Sequence, residues 1–363
     1  MIGQRAFAAA FGALGRVLTI LGATAALQAA PALADAAAVT TAATTPATVT
    51  PAASTQGLPA NILARPGRPR IGLVLGGGGA KGFAHIGVIS ELERLRIPVD
   101  VVAGTSMGAV VGSLYAGGRN SGDLVTVAHS INWVTLFDDS IPREELSLRR
   151  KNDERNILLP YRLGFKDGKP ILPKGVLGGQ KLYATLQSLL LPNRALDNFD
   201  YMAIPFRAVA TNIVNGHAVV LGSGDISIAV FASMAVPAGF PPVERDGLLL
   251  VDGGISDNVP VDVARAMGVD VVIVVNVGSP PMRQDQITNA GLSTTSFDKV
   301  DEGIARGLVA TQAVRDKLAP LSVSEAEWAA YQAAKARRVQ NAPITARTVT
   351  VDNTSVVPTK QIE

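Results

Sequence analysis

The amino-acid sequence predicts an α/β fold in which helices cover a mainly parallel central sheet. A short apolar run at residues 71–75 leads into a glycine-rich loop and a helical pattern, and a second apolar run follows at residues 99–103. This strand–loop–helix–strand order is a βαβ unit, whose two strands are parallel. Residues 269–277 are almost all β-branched, which is typical of a central parallel strand. The 36 glycines and 47% apolar content agree with a globular α/β protein that has many tight turns.

The first 69 residues are expected to precede the folded domain. Residues 1–34 have the pattern of a secretory signal peptide, because Arg5 precedes an apolar region and the segment ends in Ala-Leu-Ala, a form that signal peptidase accepts. Residues 35–69 are rich in Ala, Thr and Pro without apolar periodicity, and they predict a disordered linker. The expected location is therefore the periplasm, the outer membrane or the medium.

Composition and charge exclude several function classes. The chain has no cysteine, so disulfides and thiolate catalysis are excluded, and no metal site or cofactor is expected. The formal charge is +3, and two of its positive charges, Arg5 and Arg16, lie in the predicted signal peptide. The remaining charge is close to neutral and no basic–aromatic pattern occurs, so no nucleic-acid partner is expected.

The glycine loop at residues 76–82, Gly-Gly-Gly-Gly-Ala-Lys-Gly, has three candidate uses. Gly77, Gly79 and Gly82 fit the Gly-x-Gly-x-x-Gly of dinucleotide-binding folds, but the next strand does not end in the acidic residue that binds the ribose. A Walker loop is excluded because no Gly-Lys-Ser/Thr closes the segment. The third use is an oxyanion hole, in which backbone N–H groups at a helix start hold a developing negative charge.

Ser106 occupies the centre of a Gly-x-Ser-x-Gly pattern between the second apolar run and a helix-compatible run at residues 109–116. A serine on a sharp strand-to-helix turn needs small neighbours, and Gly104 and Gly108 leave room for the tight backbone and for a substrate carbonyl. The helix that begins there directs free N–H groups towards the site. This context predicts a nucleophilic serine.

The second half of the domain alternates between hairpins and helices. Asn215-Gly216 and Asp246-Gly247 are strong hairpin turns between short apolar strands. A helix is expected after the first hairpin and another after the second, each ended by a proline or glycine. The expected elements are strands at 206–213, 219–221, 243–245 and 248–251 and helices at 223–236 and 260–267.

A serine hydroxyl needs a base, and Asp252 is the strongest candidate. The chain has three histidines, and none follows Asp252, so a Ser–Asp–His triad in the order of doubly wound hydrolases could not use Asp252 and would need an earlier acid, such as Asp197 or Asp200, with His217. His217 would need an acid from an earlier segment, and its place beside a hairpin turn indicates a surface residue; His85 and His129 are expected to be structural. Asp252 ends a strand, so we expect it to accept the serine proton directly in a partly dry site.

The three motifs, with Gly253 and Gly254 after Asp252, occur in the order found in the patatin-like phospholipase family, which the chain resembles. Residues 232–237 and 257–261 also resemble this family, so the likeness extends over about residues 70–277. The resemblance implies a patatin-like three-layer α/β/α fold with a Ser–Asp dyad. Its activity would be that of a lipid acyl hydrolase acting on phospholipid or lysophospholipid, with contact to a membrane surface.

The resemblance also implies a role for each motif residue. Ser106 would attack the ester carbonyl, and Asp252 would accept its proton and later activate water. Lys81 stands where many members have arginine, so it would contact a phosphate as a point charge. The backbone N–H groups of Gly77, Gly78 and Gly79 would form the oxyanion hole. The remaining glycines of the three motifs are Gly82, Gly104, Gly108, Gly253 and Gly254.

The end of the chain suggests a second module after a domain at residues 70–320. Residues 322–338 predict a helix with a capping box formed by Ser324 and Glu327, and residues 345–351 alternate like a strand. Residues 321–363 resemble the start of a POTRA module, as in type Vd autotransporters, which join an exported patatin-like passenger to a POTRA module and an outer-membrane barrel. On that resemblance the chain would end inside the module, before such a barrel.

Two alternatives of other classes stay open at this point. A nucleotide-binding protein would use the glycine loop for a cofactor and give Ser106 no role. An exported passenger would keep the fold without hydrolysing any ester. Cofactor affinity and ester hydrolysis distinguish these alternatives from a hydrolase.

Overall fold

The computed structural model describes residues 67–137, 148, 164–166, 169–171, 178–194, 196–278 and 294–340. The signal peptide, nearly all of the linker and the strand at 345–351 lie outside these residues and stay predictions. Among the described residues, no helix combines the length and the apolar content needed to cross a bilayer.

The described strands and helices follow the expected alternation. The strands are β1 (Ile71–Leu75), β2 (Val101–Thr105), β3 (Gly164–Lys166), β4 (Lys169–Ile171), β5 (Phe206–Asn212), β6 (Ala218–Leu221), β7 (Val243–Arg245), β8 (Leu248–Asp252) and β9 (Val271–Val275). The helices are α1 (Ala84–Arg94), α2 (Met107–Ala116), α3 (Ser121–Ser130), α4 (Trp133–Leu136), α5 (Gln180–Leu189), α6 (Ile226–Ser233), α7 (Val261–Ala266), α8 (Val300–Gln312), α9 (Arg315–Leu318) and α10 (Glu325–Gln340).

A seven-stranded sheet forms the centre of the molecule, and β3 and β4 form a separate hairpin. Strands β9, β1, β2 and β5 are parallel neighbours in that order, which confirms the mainly parallel sheet. One expectation is not met among the described strands: β9 was expected to be central, but it pairs there with β1 alone, and its residues are mostly half-buried. A β-branched run indicates parallel pairing, but it does not distinguish a strand paired on both edges from one paired on a single edge.

Strand β5 aligns the ends of two other strands along one of its edges. Thr105, the last residue of β2, pairs with Val209, and the next residue of β5, Ala210, pairs with Asp252 at the end of β8. Strand β6 pairs with residues 208–211, so it occupies the opposite edge. Because a strand has two edges, β2 and β8 meet end to end, and the residue after Thr105 arrives beside Asp252.

Helices cover both faces of the sheet. Leu73 and Leu75 point into the main apolar core, which is built with residues of α1, α2 and α6. Val74, between them, joins Ala103 and Ala264 of α7 on the opposite face. This alternation is the two-residue period of a strand buried on both faces, and it produces the three layers expected from the resemblance.

Helices α1 and α8 pack with their backbones in direct contact. A Cβ atom on Gly307 of α8 would lie 1.9 Å from the carbonyl oxygen of Ala84, and one on Gly87 would lie 2.0 Å from the carbonyl oxygen of Ile304. Neither position accepts a side chain unless the helices separate. This contact fixes α8 against the helix that follows the glycine loop.

Helix α10 packs on the α/β domain, although its segment was predicted to begin a separate module. The Tyr331 hydroxyl donates to the carbonyl of Val99 at 2.9 Å, and Lys335 Nζ lies 4.2 Å from the centre of the Tyr115 ring. The expected capping box is present, since the Ser324 N–H donates to Glu327 at 2.9 Å. The POTRA resemblance itself stays a prediction, because the rest of that segment lies outside the described residues.

Candidate active site

Ser106 lies at the sharp turn between β2 and α2, with φ 53° and ψ −123°. This positive φ is unusual for a residue with a side chain and marks local strain. The flanking glycines make the turn possible: a Cβ atom on Gly104 would lie 2.4 Å from the Gly108 carbonyl oxygen, and one on Gly108 would lie 2.0 Å from that of Leu75. The Ser106 N–H donates to Ser233 Oγ at 2.9 Å, which anchors the strained backbone.

The carboxylate of Asp252 accepts a hydrogen bond from the Ser106 hydroxyl, with 2.7 Å between Oγ and Oδ2. Its other oxygen accepts from the Gly254 N–H at 2.7 Å, which fixes the carboxylate plane. Burial raises the pKa of Asp252 above its ordinary value of 3.8, and the hydrogen bonds from Ser106 and Gly254 oppose that rise. A Cβ atom on Gly253 would lie 2.1 Å from the Val209 carbonyl oxygen, so the chain turns away tightly after the aspartate.

The glycine loop passes directly beside the serine. A Cβ atom on Gly77 would lie 3.0 Å from Ser106 Cβ. The Gly77 N–H donates to the Asn258 carbonyl at 3.2 Å, so it is not available to an oxyanion, in contrast to the sequence-based expectation. Among the described residues, the N–H groups of Gly78 and Gly79 have no hydrogen-bond acceptor, and both glycines line the same cavity as Ser106. These two amides are the available donors of the loop.

Gly82 and Lys81, two further residues of the glycine loop, differ in what the structure shows of their expected roles. Gly82 permits close packing, because a Cβ atom there would lie 2.2 Å from Met107 Cγ at the start of α2. Lys81 does not line the cavity with the serine, and its backbone N–H donates to the Gly78 carbonyl at 3.2 Å. A contact between the Lys81 side chain and a phosphate stays a prediction.

A cavity of about 340 Å³ opens above the serine and the aspartate. Apart from these two side chains and the glycine loop, its lining is largely apolar, and Phe137 and Phe297 pack with ring centres 4.9 Å apart. The apolar side chains of the lining are Met107, Phe137, Met234, Val236, Pro237, Phe240, Ile255 and Phe297. A cavity with this lining is suited to a hydrocarbon chain and shields the Ser106 hydroxyl from water.

None of the three histidines is a hydrogen-bond partner of the Ser106 hydroxyl. His217 is exposed in the turn between β5 and β6, and His129 is about half exposed with its ring 3.1 Å from Asp301. His85 is fully buried and its Nε2 lies 2.8 Å from the Gly76 carbonyl oxygen. The hydrogen-bond partner of the Ser106 hydroxyl is therefore Asp252, and His217 does not occupy that place.

Two side chains of this site were not assigned a role from the sequence. Ser233 anchors the Ser106 amide, and it donates to the Val209 carbonyl at 2.5 Å. Asn258 binds the glycine loop through both its backbone and its side chain. The signal that could have found them was the family resemblance of residues 232–237 and 257–261, which carries no information about contacts.

The region that contains these residues is similar to known proteins. A family model described as patatin-like phospholipase matches residues 73–265. An uncharacterised NTE family protein of Mycobacterium tuberculosis is 33% identical over 209 residues, which are 58% of this chain and 49% of that protein. Lysophospholipase NTE1 of Cryptococcus neoformans is 34% identical over 228 residues, which are 61% of this chain and 12% of that protein. The chain thus spans about half the length of the first relative and a small part of the second.

Solved structures that this chain matches include ExoU in its complex with SpcU from Pseudomonas aeruginosa. That match has 17% sequence identity and a TM-score of 0.38, and it covers 76% of this chain and 59% of that chain. VipD from Legionella pneumophila matches at 19% identity with a TM-score of 0.33, over 54% of this chain and 48% of that chain.

Proposed function

Since the chain belongs to the patatin-like phospholipase family, we propose that it is a lipid acyl hydrolase that cleaves the fatty-acyl ester of a phospholipid or lysophospholipid through Ser106 and Asp252. One observation carries the proposal: the serine hydroxyl donates directly to a buried carboxylate at 2.7 Å, at the base of an apolar cavity. A base in direct contact with a nucleophile is what ester hydrolysis requires.

The geometry supports a two-step reaction. Ser106 Oγ attacks the ester carbonyl while its proton passes to Asp252 Oδ2, and the N–H groups of Gly78 and Gly79 stabilise the oxyanion. The C–O bond then breaks, and the alcohol leaves with the proton held by Asp252. A water molecule next gives a proton to Asp252 and attacks the acyl-serine; Asp252 returns this proton to Ser106 Oγ as the bond from the acyl carbon to Oγ breaks, which releases the fatty acid and restores both side chains.

The raised pKa of Asp252 suits it to this role. A carboxylate is a weaker base than imidazole, and burial partly compensates by making its protonated form more favourable. The strained backbone conformation of Ser106 also directs its hydroxyl out of the turn and into the cavity. The apolar lining is suited to the acyl chain, and the name of the fungal relative supports a lysophospholipid as one substrate class.

Fatty-acid release from micelles of phosphatidylcholine and of lysophosphatidylcholine tests the proposal. We expect Ser106→Ala and Asp252→Asn to lose roughly a thousand-fold or more of the parent rate, because each removes a partner of one chemical step. His217→Gln is the control, since His217 is exposed outside the cavity, and its rate should equal that of the parent. A folded parent that hydrolyses no ester, or an Asp252→Asn variant that retains the parent rate, contradicts the proposal.

We further propose export, on the pattern of residues 1–34, and a membrane surface as the place of action, on the apolar substrate. A passenger role in an autotransporter-like protein, with an outer-membrane barrel as partner, rests on the resemblance of residues 321–363. Mass spectrometry of the chain expressed in a Gram-negative bacterium tests export directly. A periplasmic or membrane-associated product that begins after residue 34 supports it, and an uncleaved product in the cytoplasm contradicts it.

A further inference from the structure

The glycine loop is held by successive hydrogen bonds, and among the described residues these leave the N–H groups of Gly78 and Gly79 without an acceptor. The Gly76 N–H donates to the Val275 carbonyl at 3.0 Å, and the Gly76 carbonyl lies 2.8 Å from His85 Nε2. The next residue, Gly77, donates its N–H to the Asn258 carbonyl and accepts from Asn258 Nδ2, both at 3.2 Å. The side chain of His85, close to the loop in sequence, and that of Asn258, far from it, therefore hold two successive carbonyls of the loop.

The chemistry of His85 fixes its role as the donor of that bond. A carbonyl oxygen only accepts hydrogen bonds, so Nε2 carries the proton. The ring is fully buried, its Nδ1 has no partner among the described residues, and burial lowers the pKa of His85 to about 4. At neutral pH the ring is thus a neutral donor facing one carbonyl.

Glycine peptides need this restraint more than others do. Without a Cβ atom, a glycine passes readily between backbone conformations, and rotation of a peptide plane exchanges the directions of its N–H and C=O groups. A carbonyl turned towards Ser106 would direct its negative end at the place where the oxyanion develops, and it would replace a stabilising donor. The loop has four consecutive glycines, so its own sequence does not prevent this rotation.

Asn258 also connects the loop to the segment that carries the base. A Cβ atom on Gly254 would lie 3.0 Å from Asn258 Oδ1, and the Gly254 N–H holds the Asp252 carboxylate. One side chain thus contacts both the oxyanion loop and the turn after the catalytic aspartate. Its position couples the two halves of the site.

We propose that His85 and Asn258 are positioning residues: Asn258 holds the Gly77 carbonyl away from the site and so keeps the Gly78 N–H, on the same peptide, directed at the oxyanion, while His85 fixes the preceding peptide through the Gly76 carbonyl. The inference rests on the proposed hydrolase function. It predicts an effect on the transition state and little effect on substrate binding, because an oxyanion is present only after attack.

Steady-state kinetics of the full chain with a soluble fatty-acyl ester test this inference. Asn258→Leu keeps the side-chain volume and removes the donor; we expect its kcat to fall about 10- to 100-fold with KM nearly unchanged, less than the loss from deleting an oxyanion donor outright. His85→Leu should behave in the same way. His85→Gln retains an N–H donor of similar reach and should recover most of the parent kcat, which packing alone would not explain.

Asn193→Leu provides a matched control. Asn193 is 8% exposed and lies against Gly117 beyond the end of α2, outside the cavity lining. Its variant tests what the loss of a buried amide does to the fold in general, and we expect its kcat to match the parent. Equal losses of kcat in Asn193→Leu and Asn258→Leu, or a rise in KM that accounts for the Asn258→Leu loss, would overturn the inference.

Amide hydrogen exchange of residues 76–80 provides a measurement that does not depend on activity. We expect faster exchange there in Asn258→Leu and His85→Leu than in the parent, with unchanged exchange in α2. Parent-like exchange and kcat in both variants would refute the positioning role while leaving the hydrolase proposal intact. An inactive parent whose loop exchange still rises in the variants would instead refute the hydrolase proposal and retain the restraint on the loop.

Discussion

The backbone strain at Ser106 leads to a stability prediction that reverses the usual order of alanine and glycine. Ser106 has φ 53° and ψ −123°, outside the regions that residues with a Cβ atom normally occupy. Ser106→Ala keeps the Cβ atom and the strain, whereas Ser106→Gly removes both. Because both variants lose the bond to Asp252, that bond does not contribute to the difference between them.

The magnitude follows from two opposed terms. A residue held in a sparsely populated backbone region costs about 1–3 kcal/mol, and glycine releases this cost. Glycine loses more chain entropy on folding than alanine, which costs about 0.5–1 kcal/mol. The net expectation is that Ser106→Gly is more stable than Ser106→Ala by about 1 kcal/mol, which corresponds to a Tm difference of about 3 °C for a domain of this size.

Urea unfolding at neutral pH, followed by circular dichroism, measures this difference. Ser113 is the matched control, since it is a buried serine in the interior of α2, seven residues along the same segment. There the usual order applies, and Ser113→Gly should be about 1 kcal/mol less stable than Ser113→Ala. The reasoning fails if Ser106→Gly is the less stable of its pair while the Ser113 pair behaves as expected.

Four further predictions concern charge and packing. Because the pKa of Asp252 is raised in the folded protein, its ionisation opposes folding; this penalty is absent at pH values well below 3.8 and grows as the pH rises through the raised folded value. Asp252→Asn should therefore be more stable than the parent at pH 7 and lose this advantage on acidification. Urea unfolding at several pH values measures the difference. The same pKa predicts that the parent kcat/KM falls on acidification with a midpoint above 3.8, and a midpoint below that value would exclude a buried carboxylate as the base. Asp200→Ala should lower the free energy of unfolding in urea by about 3–5 kcal/mol, because it removes the carboxylate that lies 2.5 Å from the buried Arg207 guanidinium. A loss below about 1 kcal/mol would show that water reaches the arginine. Gly307→Ala should lower the free energy of unfolding by about 3 kcal/mol through its contact with Ala84, and an unchanged Tm would show that α8 shifts without penalty.

The parts of the fold that the sequence predicted correctly depend on local signals. The βαβ unit, both hairpins and the turn at Ser106 follow from short apolar runs and from glycines at fixed spacing, and the structure contains each of them. Helix ends were less accurate: the helix expected at 223–236 spans Ile226–Ser233, because the side chain of Asp225 caps it by accepting from the Ser227 N–H. Several polar residues lie near the start of this helix, and which of them caps it depends on the direction of the chain there, which the sequence pattern does not contain.

The parts that the sequence did not predict depend on contacts between distant segments. Asn258 and Gly77 are 181 residues apart, and nothing in either segment indicates that one binds the other. The same holds for the hydrogen bond from the Gly77 N–H to the Asn258 carbonyl, because a glycine run shows how many amides exist but not which of them already have acceptors. The edge position of β9 and the packing of α10 are likewise properties of the assembled sheet and core.

The alignment of β2 and β8 along β5 has a consequence for how the chain can vary. The spacing of serine and aspartate is set by the pairing register of seven residues, Phe206–Asn212, and not by the 146 positions that separate the two side chains. The segment between α2 and β5 and the hairpin turn directly after β5 can therefore lengthen, shorten or be exchanged without moving Ser106 or Asp252. A slip of one residue in β5 has the opposite effect, because it displaces one partner by about 3.3 Å and turns it to the other face. New specificities would then arise by grafting surface segments around an unchanged strand, and chimeras with donor segments at these two places would retain the reaction while changing its substrates.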